Sequence, residues 1–192
     1  MSKDRLAAFT DGVVAIIITI MVLEMKTPHG VDFAALQASV PVFLAYVLSY
    51  VNVGIFWSNH HHMLHITEQV NGRVLWANLF LLFWLSLIPF VIRWIDESGI
   101  TALPTAAYGA VLAMAAVGYT LLQKAIIACN GGARSRLAAA VGQDLKGKVS
   151  LGAYIAALPL AYVSPWLSVA LYVAVALMWL VPDRRIETVV GR

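Results

Sequence analysis

Long runs without a charged side chain are the feature that most limits how this chain folds. No Asp, Glu, Lys or Arg occurs within residues 33–67, 74–92 or 149–182. A helix needs about 20 predominantly apolar residues to cross the roughly 30 Å hydrocarbon core of a bilayer. Charged residues make up 12% of the chain, against about 25% in soluble domains. These observations predict an all-α integral membrane protein.

The uncharged runs divide into six transmembrane helices within one domain, residues 1–192. The run over residues 149–182 would form a helix of about 51 Å, which is too long for a single crossing. Proline suits the first turn of a helix, so we divide this run at Pro165. Asp32 is expected to cap a short amphipathic piece over residues 33–39, which precedes the second span. The predicted spans are residues 9–25, 41–59, 74–92, 101–123, 149–163 and 165–182.

The basic residues predict that both termini lie in the cytoplasm, because Lys and Arg accumulate in cytoplasmic loops. With that orientation, eleven of the 13 Lys and Arg residues lie inside, and only Lys26 and Arg93 lie outside. A count of five helices would carry the last three arginines across the membrane. The charge bias therefore supports six spans. Those arginines are Arg184, Arg185 and Arg192.

The first span presents two different surfaces. At about 100° per residue, Ile16, Ile20 and Leu23 share one face of the helix, and Thr19 lies at the edge of that face. Asp11 is about 140° away from Ile16. An ionised carboxylate at the edge of a membrane span is costly, so Asp11 is expected to have a dedicated partner or task. The aliphatic stripe alone is equally typical of contact with lipid or with a protein core.

The second span ends in a segment rich in histidine. His61 and His65 are four residues apart, a spacing with which two helical side chains can bind one metal ion. Asn78 of the third span is flanked by apolar residues and should seek a hydrogen-bond partner. A metal site and an internal polar cluster at the cytoplasmic end therefore both remain open. Trp57 and Trp76 are alternatively ordinary interfacial aromatic residues.

Several motifs with known chemistry are absent. The sequence holds no phosphate-binding loop, no His-Glu-x-x-His and no Gly-x-Ser-x-Gly, so it predicts no enzyme. It also lacks the Thr-Val-Gly-Tyr-Gly carbonyl filter, and no span carries the train of arginines typical of a voltage sensor. The single cysteine, Cys129, excludes an internal disulfide.

The start of the chain resembles a known family. Arg5-x-x-x-Phe9-Thr10-Asp11 resembles the Arg-x-x-x-Phe-Ser-Asp signature of the lysosomal potassium channel family (transmembrane protein 175) and its bacterial homologues. Thr10 replaces the serine and keeps its hydroxyl. The resemblance covers about residues 1–95. Two further segments resemble the second and third spans of that family: Trp57 followed by His60-His61, and Trp76-Ala-Asn78.

The resemblance implies an activity and an assembly. Bacterial members carry one six-helix unit and form tetramers. A homotetrameric cation channel favouring potassium, multi-pass in a bacterial inner membrane, is therefore implied. K⁺ would be the permeant ion, and the partners would be further copies of the chain and membrane lipid. No cofactor, bound metal, nucleic acid or small-molecule substrate is implied.

The resemblance also implies roles for individual residues. In the family the first helix lines the central pore, and an isoleucine five residues after the motif aspartate forms the constriction, which corresponds to Ile16. Thr19, Ile20 and Leu23 match the pore positions that follow. The motif residues would instead form a network between helices, in which the identity of the histidine stays open. That network would comprise Arg5, Phe9, Thr10, Asp11, Trp57, His60, His61 and Asn78.

Two other functions remain open from the sequence. A proton-coupled transporter or proton channel would use Asp11 and the segment from His60 to His65 as a relay for protons. An intramembrane enzyme or metal-binding protein would be centred on the same histidines.

Overall fold

The computed structural model describes residues 2–28 and 30–180 of the chain. Within these residues the chain forms eight α-helices and one short 3₁₀ turn at Gly132–Arg134. The helices are α1 (Lys3–Leu23), α2 (Phe33–His65), α3 (Gly72–Ser86), α4 (Ile88–Ser98), α5 (Ala102–Cys129), α6 (Arg136–Val141), α7 (Leu145–Val163) and α8 (Pro165–Leu180).

Helix α1 begins at a conventional cap and buries one face along its whole length. The Ser2 side chain accepts a hydrogen bond from the Arg5 backbone N–H at 3.4 Å, which satisfies one of the free donors of the first turn. The buried residues recur every three or four positions, so one stripe of the helix packs against the other helices. They are Leu6, Thr10, Val14, Ile17 and Met21.

Helix α2 is continuous over 33 residues, about 50 Å. The Asp32 carboxylate accepts a hydrogen bond from the Ala35 backbone N–H at 2.9 Å, which confirms it as the N-cap. The predicted division between a piece over residues 33–39 and a separate span is wrong, because the helix runs on through Pro41. Prolines are tolerated in membrane helices where the freed carbonyl finds another partner.

The third predicted span, residues 74–92, is broken at Leu87, in its second half. Helix α3 ends at Ser86, and α4 starts at Ile88, with Leu87 between them. Pro89 stands in the first turn of α4. Proline has no backbone N–H to continue the ladder of the preceding helix and is favoured where a new helix starts. The break was not predicted, but the two helices together, Gly72–Ser98, form one segment that is long and apolar enough to cross a membrane.

Helix α5 extends beyond its predicted end at residue 123 to Cys129 and packs against both α3 and α7. A Cβ atom on Gly118 would lie 2.9 Å from the Leu81 Cα, so only glycine permits this approach of the two backbones. At the end of α5, the Asn130 side-chain oxygen accepts hydrogen bonds from the backbone N–H groups of Glu68 and Gln69 at 3.0 and 2.8 Å. The ends of α2 and α5 are thereby joined.

The last two helices form the predicted hairpin. Ser164 is extended between α7 and α8, as expected for a residue before proline, and α8 starts at Pro165. The Ser168 hydroxyl donates to the Ala157 carbonyl at 2.7 Å and closes the hairpin. Residues 181–182 of the predicted sixth span lie outside the described residues, as do Arg184, Arg185 and Arg192.

Four described helical segments are long and apolar enough to cross a membrane. Helix α7 has 19 residues, with two lysines in its first turn, and α8 has 16 residues. The six-span count rests on this short pair and remains a prediction, as does the cytoplasmic placement of the termini. The four segments are Lys3–Leu23, Phe33–His65, Gly72–Ser98 and Ala102–Cys129.

Candidate functional site

The pore residues implied by the resemblance lie on the outer surface of α1. Ile16 is 58% exposed, Ile20 is 39% exposed and Leu23 is 80% exposed. The opposite face of the same helix is buried from Leu6 to Met21. We call Ile16, Ile20 and Leu23 the aliphatic stripe. Among the described residues of one subunit the stripe is largely exposed, whereas Ile17 and Met21 on the other face are 3% and 0% exposed.

Thr19 is the polar member beside this stripe. Its hydroxyl lies 3.0 Å from the Ala15 carbonyl and 2.9 Å from the Ile16 carbonyl. The hydroxyl proton is thus engaged by the helix itself, as is common for Thr in apolar helices. The oxygen of Thr19 keeps a free lone pair on the exposed face, where it can act as an acceptor.

The hydroxyl of the signature motif takes part in a buried hydrogen-bonded chain. The Asn78 side-chain amide donates to the Thr10 hydroxyl at 3.0 Å, and the His60 Nε2 lies 2.8 Å from the Asn78 oxygen. All three residues are at most 2% exposed. With the amide nitrogen committed to Thr10, the oxygen must accept, so His60 carries its proton on Nε2. Among the histidines, His60 is therefore the one that joins the motif.

The motif aspartate has a different partner. The Trp57 indole N–H donates to the Asp11 carboxylate at 2.8 Å, which joins α1 to α2. Phe9 is 50% exposed. The Arg5 side chain is exposed and makes no ion pair with any residue in the described ranges 2–28 and 30–180. Within one subunit, Arg5 and Phe9 thus lie outside the hydrogen-bonded set.

The remaining histidines form a row of ring contacts at the end of α2. The His61 ring lies 5.8 Å from the Trp57 ring and 6.5 Å from the nearly parallel His65 ring, measured between centroids. His62 contacts His61 edge to face at 6.0 Å. In the part of the chain that the structure describes, no group of three or more His, Cys, Asp or Glu side chains is placed to hold a metal ion.

An ion-pair cluster at the other end of α1 was missed by the sequence reasoning. Arg93 of α4 contacts Glu24 at 2.9 Å and Glu97 at 3.2 Å, and Lys26 lies 3.7 Å from Glu97. The Lys26 backbone N–H also donates to Asp96 at 3.3 Å. The sequence did contain a signal for this cluster. Lys26 and Arg93 are the two exceptions to the charge bias, and both have carboxylates nearby in sequence.

A groove beside the aliphatic stripe separates α1 from the α3–α4 break. It has a volume of about 460 Å³ and is lined on one side by Ile16 and Ile20 and on the other by Pro89, Phe90 and Arg93. Phe90 is 62% exposed. The groove and the stripe together form one continuous surface from the middle of α1 to its C-terminal end, and it is apolar except at Glu24, Ser86 and Arg93.

Comparison with known proteins places this arrangement in a family. The chain is 48% identical to "Potassium channel HX13_20290" of Chryseobacterium sp. over 97% of each protein. The chain belongs to the TMEM175 family. The family described as "Endosomal/lysosomal potassium channel TMEM175" matches residues 5–89, which include the motif, Trp57, His60 and Asn78. This confirms the resemblance drawn from the sequence.

Two further TMEM175 proteins define the fold and the range of the family. A solved structure, a lysosomal potassium-selective channel TMEM175 homolog from Chamaesiphon minutus, superposes with a TM-score of 0.79 at 25% identity, covering 93% of this chain and 96% of that one. The human "Endosomal/lysosomal proton channel TMEM175" is 36% identical over 43% of this chain, which spans only 19% of the human protein. The family consists of ion channels, which confirms that the chain is not an enzyme.

Proposed function

We propose that this TMEM175 protein is a homotetrameric potassium channel whose pore is lined by α1. The observation that carries the proposal is the division of α1 into two faces. One face holds the buried Thr10, bonded to Asn78 at 3.0 Å, and fixes the helix in its subunit. The other face carries Ile16 and Leu23, which are 58% and 80% exposed.

An aliphatic stripe on one helix cannot enclose a pore, so the proposal requires several copies. Closed rotational symmetry brings the same surface of each subunit to a common axis. The apolar groove between α1 and Phe90 gives each subunit a recess beside the stripe in which a neighbouring copy can pack. The resemblance to the bacterial branch of the family favours four copies.

In this assembly, four Ile16 side chains form the narrowest part of the pore. An isoleucine ring offers no ligand oxygens, so it must select by size and by the cost of dehydration, and it closes by dewetting. Thr19 adds an acceptor oxygen one turn further along the helix. Potassium gives up its hydration water more easily than sodium, and the ring therefore favours potassium to a modest degree.

The proposed orientation places the N-terminus, Lys3 and the end of α2 in the cytoplasm of a bacterial cell. Lys3 Nζ donates to the His65 carbonyl at 3.4 Å, and Asn130 joins the ends of α2 and α5, so these basic segments share one end of the bundle. The α3–α4 segment acts as one broken span, and α7 and α8 complete six crossings in the inner membrane.

Reconstitution into liposomes tests the proposal. Purified protein is expected to carry potassium down its gradient without a pH gradient, faster than sodium, and to have the native mass of a tetramer. Flux that requires a pH gradient and saturates with a substrate would instead support a transporter. A protein that is monomeric in native membranes would exclude the proposed pore.

Proton conduction is the second candidate, and one arrangement favours it. Asp11, Trp57, His61 and His65 lie in sequence along one exposed surface at the proposed cytoplasmic end, with the His61 and His65 rings 6.5 Å apart. Histidine rings in a row can act as donors and acceptors for protons. Proton flux that persists in Ile16→Asn but is lost in His61→Leu would assign protons a route separate from the potassium pore.

A further inference from the structure

A small cavity inside the bundle is lined mainly by polar side chains. It lies between α2, α5, α7 and the end of α8, and its volume is about 40 Å³. One water molecule requires about 10–15 Å³, so the cavity has room for a small ion with one or two waters. Polar groups inside a membrane bundle are costly and usually have a function. The polar lining residues include Asn52, Asn59, Thr120, Asp144, Ser150 and Tyr154.

Most of the protons on these side chains are donated to groups outside the cavity. Asn59, Thr120 and Ser150 each donate to the backbone carbonyl four residues earlier, at 2.8, 2.9 and 2.8 Å. The Ser150 oxygen also accepts from the Trp179 indole at 2.8 Å. The side-chain oxygens of Asn59 and Thr120 keep their lone pairs. The cavity wall is therefore richer in acceptors than in donors.

The orientation of the Asn52 amide follows from its neighbours. The Ser49 hydroxyl lies 2.8 Å from the Ala45 carbonyl and 2.9 Å from the Tyr108 hydroxyl. Because a carbonyl only accepts, the Ser49 proton is used there, and Tyr108 donates to Ser49. The Tyr108 oxygen then accepts from Asn52 Nδ2 at 3.2 Å. Asn52 Oδ1 is consequently the atom that remains without a partner.

Two lining oxygens are deep in the protein, lack a partner and still have accessible surface. Asn52 and Tyr154 are 2% and 3% exposed, and neither Asn52 Oδ1 nor the Tyr154 hydroxyl has a hydrogen-bond partner among the described residues. In that part of the chain, the buried side-chain atoms without either a partner or accessible surface are Trp84 Nε1 and the Thr105 hydroxyl. The oxygens of Asn52 and Tyr154 are not among them, so both are open to the cavity that they line.

The cavity also contains a carboxylate. Asp144 caps the N-terminus of α7, where it accepts from the Gly147 backbone N–H at 3.2 Å, and it forms no ion pair with any residue that the structure describes. Lys146 Nζ lies 5.6 Å from the centre of the Trp179 ring. Asp144 and Tyr154 are about 15 Å apart along the helix. The gap between their polar atoms is shorter, because helical side chains lean towards the N-terminus.

We propose that this cavity binds one monovalent alkali cation, sodium or potassium, which enters beside Asp144. The oxygens of Asn52, Asn59 and Tyr154 hold the cation, directly or through water, since hard cations bind oxygen ligands. Asp144 balances its charge across a medium of low dielectric constant. In the orientation of the proposed function, the mouth faces the cytoplasm.

The charge of the cavity favours a monovalent ion over a divalent one. Asp144 is the single acidic residue among the described residues that line it. Within the same described ranges, no group of three or more His, Cys, Asp or Glu side chains is placed to hold a metal ion. Helix α1 contributes no lining residue, so the site belongs to one subunit and is separate from the proposed pore.

Thermal unfolding of the purified channel in detergent tests the site. Potassium chloride or sodium chloride replaces N-methyl-D-glucamine chloride at constant total salt, and the organic cation is too large for the cavity. An ion that binds the native state raises the unfolding temperature in a saturable way, and wild type should show this rise. Separate sodium and potassium series show which ion binds more tightly.

A charge variant tests the role of Asp144. Asn is also a good N-cap and also tolerates the left-handed backbone at this position, φ 45°. Asp144→Asn therefore removes the charge alone and should raise the half-saturating cation concentration about tenfold or more. Glu68→Gln is the matched control, since Glu68 is an exposed carboxylate that does not line the cavity. It should leave the titration unchanged.

A second pair of variants tests the inner end of the cavity. Tyr154→Phe keeps the ring and removes the unpartnered hydroxyl, which should raise the half-saturating concentration about fivefold. Tyr162→Phe is the control on the same helix, because Tyr162 is 66% exposed and lies outside the cavity. An unchanged titration in Tyr154→Phe would overturn the contact with the hydroxyl.

Two results would overturn the cation site as a whole. No saturable rise in wild type would mean that the cavity holds water only. A rise that is lost in Thr19→Ala but kept in Asp144→Asn would assign the bound cation to the pore. Native mass and potassium flux are measured on the same samples. A monomer without flux whose rise is still sensitive to Asp144→Asn would exclude the proposed pore but not the cavity site.

Discussion

Trp57 donates its indole N–H to the Asp11 carboxylate at 2.8 Å, across 46 residues of sequence. The bond fixes the N-terminal half of α1 against α2, so that the acidic group of the motif points towards a neighbouring helix of its own subunit. Ile16 lies about 140° away around α1 and is left free on the surface. One hydrogen bond thus helps to set the rotation of the helix that carries the aliphatic stripe.

Removing the indole donor should weaken this attachment. Trp57→Phe keeps an aromatic ring but leaves the carboxylate of Asp11 without its donor, at a cost of about 1–2 kcal/mol. Thermal unfolding in detergent should shift to lower temperature. Trp76→Phe is the control, because Trp76 is 76% exposed.

The carboxylate at the other end of this hydrogen bond should matter for the same structural reason. Asp11→Ala should lower stability or tetramer yield more than Thr19→Ala does. A fully stable Asp11→Ala channel with altered selectivity would contradict a structural role.

The hydroxyl at position 10 should matter more than the methyl group. Thr10→Ser keeps the acceptor for Asn78 and should retain nearly full stability. Thr10→Val leaves the buried Asn78 amide unpaired and should cost about 1–3 kcal/mol. Thermal unfolding of the two variants side by side provides the measurement. Equal stability of Thr10→Ser and Thr10→Val would show that the hydroxyl is dispensable.

The ring of Ile16 side chains should set ion discrimination. Ile16→Asn places an amide in the constriction, which lowers the cost of wetting it, so the ratio of potassium to sodium permeability should fall towards one. Val22→Asn is a control on the same helix, since Val22 is 45% exposed but lies about 120° away from the stripe. Bilayer recordings under mixed-ion conditions give the ratio. An unchanged ratio in Ile16→Asn would move the filter elsewhere.

A disulfide between subunits should form at the outer end of α1. In a Cys129→Ser background, Leu23→Cys should cross-link neighbouring subunits under mild oxidation in membranes, because symmetry brings this residue close to its copies. Val163→Cys is the control, with 78% exposure against 80% for Leu23, at the end of α7 away from α1. Dimers that form equally with both cysteines would indicate random collision and not a pore.

The ion-pair cluster at the outer end of α1 should tune conductance through its charge. Glu24, Lys26, Arg93, Asp96 and Glu97 comprise two cations and three carboxylates, so each subunit adds one net negative charge. Arg93→Gln makes the mouth more negative and should raise potassium conductance at low salt, whereas Glu24→Gln should lower it. Both effects should vanish near 1 M salt, where the screening length is about 3 Å. Effects that persist at high salt would point to a change in pore shape.

Local sequence patterns anticipated much of the fold. Asp32 and Pro165 marked helix starts correctly, because a cap and a first-turn proline act within a few residues of backbone. The break at Leu87 was missed. Pro89 is compatible with a kink inside a helix or with a new helix start, and no local pattern decides between them.

The sequence by itself determined the membrane setting, the family and the aliphatic stripe of Ile16, Ile20 and Leu23. The membrane setting and the stripe follow from uncharged length and helical period, and the family follows from the resemblance of the motif from Arg5 to Asp11, and all of these are properties of single segments. Only the tertiary structure decided which side chains form hydrogen bonds between helices. It placed His60, and not His61 or His62, on Asn78, and Trp57 on Asp11.

The same limit applies at the C-terminal end of α1, where Arg93 contacts Glu24 from 69 residues away. Helical period fixes which way a side chain points on its own helix, but not which helix stands opposite it. The neighbouring helix is set by how all the helices pack their buried faces against one another, and a local sequence pattern does not determine that packing.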